Sequence, residues 1–267
     1  MKTSLLSEYR KLTTTRMWWV LLIAMAAYMA FLGAVMAWSM TVTPADGSTP
    51  AIEVTDETIR SSVYATAVTF GYVFPVIIGA LSVTGEFRHK TISPTFLAEP
   101  NRLRVLWAKL GASLPIGAFY GLVGTLATAA AGASVLALTG NPTLLGDSET
   151  WAALGRSVLA LTLWAPVGVG LGALITNQVV AIVVVLVYTQ FLEAILRIGL
   201  GSLGDVGTTI STYLPGAASE AIAGGSVFST MGMGELLPWA AGVVVLVGYA
   251  LVCTVIGAMT TFRRDAV

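Results

Sequence analysis

Long apolar runs separated by short polar ones dominate this chain, and the length of each run decides what it can form. About 20 apolar residues, rising about 1.5 Å each, cross a bilayer as a helix. Stretches at 17–40, 62–84, 106–139, 155–176, 179–200 and 236–260 reach that length. The pattern predicts an all-α, polytopic membrane protein in which residues 17–267 form a single six-helix transmembrane domain. The third run exceeds the minimum, so it is expected to tilt or to project beyond the bilayer. Only Asn177 and Gln178 part the fourth run from the fifth, which requires a tight hairpin.

The polar stretches between the runs carry patterns of their own. In residues 1–16, Leu5, Tyr9 and Leu12 recur at helical spacing, with Lys2, Glu8, Arg10 and Lys11 mostly on other faces. This predicts an amphipathic interfacial helix among the lipid headgroups. A frayed basic tail that only sets topology is the plainer reading. The connection 201–235 is too long for a hairpin and too interrupted to span. Ile210, Tyr213, Leu214, Ala217, Ala218 and Ala221 recur at helical spacing around Pro215, predicting short, broken, re-entrant outer helices. Such backbone is tolerated at depth only where protein or a wet cavity covers it.

Composition supports the membrane assignment: 56% of the 267 residues are apolar and only 10% are charged. Acidic and basic residues balance at 14 each, which offers no electrostatic argument for nucleic acid. What the charges do show is sorting. All Lys and Arg except Arg60, Arg156 and Arg197 lie at the N-terminus, between the second run and the foot of the third, or after the sixth run at Arg263 and Arg264. Asp46, Glu53, Asp56, Glu57, Asp147, Glu149, Asp205, Glu220 and Glu235 fall on the other side. Cytoplasmic loops are enriched in basic residues, so both termini are expected in the cytoplasm of a multi-pass protein of the plasma membrane. The first apolar run exceeds a secretory core and lacks a clear cleavage site, so it is expected to remain as a span.

Candidate chemistry is sparse. One cysteine, Cys253, and one histidine, His89, allow neither an internal disulfide nor a Cys/His metal site within the chain. Cys253 lies in an apolar run and reads as a buried, inert thiol. No triad partners His89, and no GxxxxGK followed by Ser or Thr is present to cradle a nucleotide. The chain is expected to be no enzyme and to hold no cofactor. Glu193 and Arg197, four apart in the fifth run with the acid first, form a charged pair inside a span. An intramembrane carboxylate is a candidate for ion coupling, and a structural ion pair is the competing reading. Pro166 followed by Gly168, Gly170 and Gly172 reads first as close helix packing and second as a hinge.

The densest charge lies in the loop 85–105, with Glu86, Arg88, His89, Lys90, Glu99, Arg102 and Arg104. Phe87, Ile92, Phe96 and Leu97 set apolar side chains among those charges, a composition suited to docking a partner. Glu86, Arg88, Thr91, Leu97, Pro100, Arg102 and Lys109 resemble a loose pattern of Glu, Thr, Leu-x-x-Pro, a basic residue and Lys. That pattern and the six-span layout are similar to the permease subunits of type-2 ABC exporters, especially compact actinobacterial ones without a fused ATPase. Lys90 stands where the family commonly has glycine. The resemblance implies a coupling helix within 85–102 that docks on a separate ATPase subunit, where ATP and Mg would bind. Two permeases, as copies or paralogues, and two ATPases would make the working unit. Spans so poor in charge suit a hydrophobic or amphipathic cargo, such as a drug or antibiotic, a lipid-like compound or a peptide. An ion-coupled carrier using Glu193 and a non-transporting membrane scaffold are the alternatives.

Overall fold

A computed structural model of the protein describes residues 2–41, 55–230 and 236–262. Every regular element among them is helical. In chain order they are α1 (Lys2–Thr14), α2 (Met17–Thr41), α3 (Asp56–Arg88), α4 (Ile92–Ala98), α5 (Arg102–Leu138), α6 (Ser148–Leu174), α7 (Gln178–Gly201), α8 (Asp205–Thr212), α9 (Pro215–Ala223), α10 (Val227–Thr230) and α11 (Trp239–Thr260). Six of these, α2, α3, α5, α6, α7 and α11, are long and apolar enough to cross a membrane. Asp46, Glu53, Glu235, Arg263 and Arg264 lie outside the described residues.

Local sequence explains where the spans begin. Thr55 opens α3 with a capping box completed by Thr58, Asn101 caps α5 through the Arg104 amide, and Asp147 caps α6 through the Glu149 amide. Asn177 accepts from the amides of Val179 and Val180, so the tight turn between α6 and α7 doubles as a helix start. These caps move the expected boundaries outward. The second span begins at Asp56 and runs to Arg88 rather than covering 62–84, because the polar turn at its start is itself helical. The third extends back to Arg102 and reaches about 55 Å at the usual rise per residue, well past a bilayer core of about 30 Å. Two π-helical segments, Ile59–Tyr64 and Tyr188–Leu192, interrupt α3 and α7.

The bundle is organised around α6, which packs on α3, α5, α9 and α11. Its small residues make this possible. A Cβ at Gly168 would overlap the Val76 carbonyl oxygen of α3, and one at Gly172 would lie 2.6 Å from the Ala80 carbonyl oxygen. Gly170 faces Cys253 and Thr254 of α11 instead. Helix α6 runs unbroken through Pro166, and the glycines that follow it are a row of contact points, as the first reading of this stretch expects. Tyr72 of α3 stacks on Trp164 of α6 with ring centroids 4.4 Å apart, within the largest buried cluster.

The connection after α7 forms short helices, with α9 at their centre. All nine residues of α9 are buried against α6 and α11, while Ile210 and Tyr213 are exposed. The small side chains of Pro215–Ala223 permit that insertion. Helix α9 ends on Gly224, whose φ of 79° is the left-handed conformation that glycine adopts freely.

Candidate functional site

Polar chemistry gathers at two centres, one at the end of the bundle that carries the basic loop and one inside it. The first is built from α1, α3 and α5. Lys109 of α5 is buried, with its ammonium 2.6 Å from Glu8 Oε2, 2.9 Å from Glu86 Oε1 and 2.9 Å from the Ser82 carbonyl oxygen. Lys11, one turn after Glu8, reaches Glu8 Oε1 at 2.6 Å, Glu86 Oε1 at 2.8 Å and the Thr95 hydroxyl of α4 at 3.1 Å. Two carboxylates and two ammoniums thus neutralise one another while joining four helices. Partial burial alone would lower the Lys11 pKa, but the hydrogen bonds and charges of Glu8 and Glu86 outweigh it and hold the ammonium above its ordinary range.

An aromatic closure lies beside this cluster. Phe96 of α4 and Phe87 of α3 meet Phe262, just past α11, with ring centroids 5.7 and 6.4 Å apart. Arg102 donates to the Phe262 carbonyl at 2.9 Å and sits 5.0 Å over the Phe96 ring. Residues near both ends of the described chain therefore converge on the basic loop.

This geometry corrects part of the docking expectation. The composition of the loop turns Glu86, Phe87, Ile92 and Phe96 toward a partner, yet Glu86 and Ile92 are buried, and Phe87 and Phe96 pack into the core beneath α4. An apolar side chain in a short amphipathic helix lowers its free energy by covering its own bundle, and charge around it does not indicate which way it turns. The exposed set is Arg88, His89, Lys90, Thr91, Leu97 and Pro100, with Arg102 partly covered. Leu97 is 84% exposed at the tip of α4. Lys90 has φ 56°, the left-handed conformation that suits glycine, at the position where the resembled family commonly has one.

The second centre joins α7 to α9. Arg197 donates to Glu193 Oε1 at 2.8 Å and to Glu220 Oε2 at 2.6 Å, and its guanidinium lies 4.7 Å over the Phe228 ring. Glu193 Oε1 also accepts from the Ala217 amide at 3.0 Å, binding the first turn of α9. That approach needs Gly216, since a Cβ there would collide with the Glu193 carboxylate. Glu220 additionally accepts from the Ser226 hydroxyl at 2.6 Å. The local pair read from the spacing is present. Its third member, Glu220, sorts by charge with the outer acids and is instead buried beside Arg197. A carboxylate alone among the small residues of PGAASEAIA is the signal that could have found it, since a buried acid needs a partner. Lys109 carries no comparable local cue, because its acidic partners lie far away in sequence.

At the opposite end from the basic loop, Arg60 pairs with Asp147 at 2.7 Å and with Glu149 at 3.3 Å, and the Tyr64 hydroxyl donates to the Thr143 carbonyl. No group of three or more His, Cys, Asp or Glu among the described residues could hold a metal ion. No family model matches the chain, and no curated protein is significantly similar to it.

Proposed function

We propose that this chain is the membrane-spanning permease subunit of an ATP-driven exporter of the type-2 ABC kind, working in the plasma membrane with α1, α4 and both termini on the cytoplasmic side. The observation that carries this reading is the Glu8–Lys11–Glu86–Lys109 cluster, which ties an exposed basic surface to two spans. A load applied to α4 or α1 reaches α3 through Glu86 and α5 through Lys109. Such stiff coupling is what a permease needs if a neighbour's motion is to move its spans. In this reading ATP and Mg bind on the partner ATPases, two per assembly with two permeases, and no nucleic acid is involved. The cargo is hydrophobic or amphipathic, of drug-like, lipid-like or peptide character, because the spans offer little charge.

Docking falls to Leu97, together with the exposed Arg88 and Lys90 of the same loop. When the chain is reconstituted with its ATPase, Leu97→Asp is expected to lower substrate-stimulated ATP hydrolysis by about tenfold or more, the effect of losing about 1.4 kcal/mol of a central contact. The ATPase's own basal rate should stay unchanged. Unaltered coupling in both Leu97→Asp and Arg88→Ala would remove the docking role. The competing reading, a carrier driven by an ion gradient through Glu193, requires flux that follows the gradient with no ATPase present and disappears in Glu193→Gln.

A further inference from the structure

The α7–α9 joint holds one negative charge too many for its surroundings. Glu193, Arg197 and Glu220 are each nine-tenths or more buried, and two carboxylates face a single guanidinium. Arg197 donates from one terminal nitrogen to each acid, and among the described residues neither acid gains a second cation. Glu193 Oε1 is satisfied by Arg197 and the Ala217 amide, whereas Glu193 Oε2 has no hydrogen-bond partner among the described residues. Both acids line a cavity of about 100 Å³ with Thr69, Tyr72, Gln190 and Phe228. An ionised carboxylate oxygen buried with no donor is among the costliest arrangements a protein interior can hold.

We propose that the Glu193–Arg197–Glu220 cluster is a proton-binding site, holding one exchangeable proton on Glu193 Oε2. The proton balances the cluster to neutrality and turns an unsatisfied acceptor into a donor. Thr69, Tyr72 and Gln190, whose side-chain oxygens can accept, line the same cavity as Glu193. Among the described residues, the other ionisable groups around Glu193 are Tyr72 of α3, Tyr188 one turn earlier on α7, Tyr249 of α11 and Glu220 of α9, and none of them supplies a second positive charge. A metal cation is disfavoured by Arg197, whose guanidinium already bridges the two acids. Parting α9 from α7 would wet Glu193, ionise it and release the proton. The closed joint is therefore the form that binds the proton, and rising pH favours its opening.

This inference rests on the charge count and not on the exporter reading, so its test needs no ATPase. The full-length chain in lipid nanodiscs is followed by infrared difference titration. A protonated-carboxyl C=O band is expected at neutral pH in the wild type and in Glu149→Gln, where an exposed acid is changed. Glu193→Gln and Glu220→Gln should each lose it, since Arg197 alone balances the one remaining acid. Arg197→Gln should strengthen it by leaving two acids without a counter-ion. Two opposite variants guard against one of them failing to fold. A wild type without the band, or a band surviving both acid substitutions, overturns the proposal. A band present only when sodium and potassium are replaced by a large organic cation also overturns it and makes the cluster a metal-cation site.

Discussion

Lys109 is the side chain on which the basic-end cluster depends most. Its ammonium is sealed from solvent and makes three contacts, so Lys109→Met would leave Glu8 and Glu86, among the described residues, with only the partly exposed Lys11. Breaking a buried pair from one side costs about 3–5 kcal/mol, and a drop of that size is expected in unfolding measurements in detergent. Lys11 contributes differently. Its folded pKa is raised, so its contribution is complete below the ordinary lysine value of 10.5 and fades only as pH rises through the higher folded value. The wild type should show no change from this group through the neutral range, and Lys11→Met should flatten the alkaline limb of a stability–pH curve. Lys90 makes the opposite case. A left-handed lysine costs about 1–2 kcal/mol and glycine loses about 0.5–1 kcal/mol in chain entropy, so Lys90→Gly should stabilise by about 0.5–1 kcal/mol. Of these residues, Lys90 is legible in the sequence as a departure from the pattern the loop resembles, and the Glu193–Arg197 pair from its spacing alone. The partners of Lys109 are not, because three residues from three helices meet only after the bundle has packed.

Helices are legible to the extent that hydrophobic run length determines them. All six apolar runs form helices long enough to span, and the differences are at the ends, where Thr55, Asn101 and Asp147 start helices earlier than hydropathy does. The π-helical turns in α3 and α7 leave no mark in the apolar pattern. The role of small residues in α6 is only half legible, since closely spaced glycines are compatible with both contact and bending. The structure shows the contact, and a matched pair of substitutions tests whether it is what Gly168 is there for. Gly155 of α6 has open space where an added Cβ would lie, whereas Gly168 is against the backbone of α3. Gly155→Ala should stabilise by up to about 1 kcal/mol through helix propensity. Gly168→Ala must push α3 and α6 apart and should destabilise by about 1–3 kcal/mol. A higher melting temperature for both variants would assign Gly168 to flexibility and not to packing.

At the scale of the whole molecule, the two ends of the bundle differ in charge and in architecture. One end gathers α1, the basic loop and Phe262 around the lysine–glutamate cluster, and the other pairs Arg60 with Asp147 and Glu149. Contacts alone fix which segments share an end, and charge sorting along the chain separates the same segments. The membrane side proposed for each end rests on the enrichment of basic residues in cytoplasmic loops and on nothing in the packing. Orientation can therefore be tested independently of fold. Because Cys253 is the sole cysteine, Cys253→Ser gives a background in which Lys90→Cys and Glu149→Cys each introduce one exposed thiol. In intact cells a membrane-impermeant maleimide should modify Glu149→Cys and leave Lys90→Cys unmodified until the membrane is opened. The reverse pattern would put the Leu97 surface outside the cell, where no cytoplasmic ATPase could reach it. The buried clusters would remain as they are, but the load path from α4 through Glu86 and Lys109 would have no motor at its end.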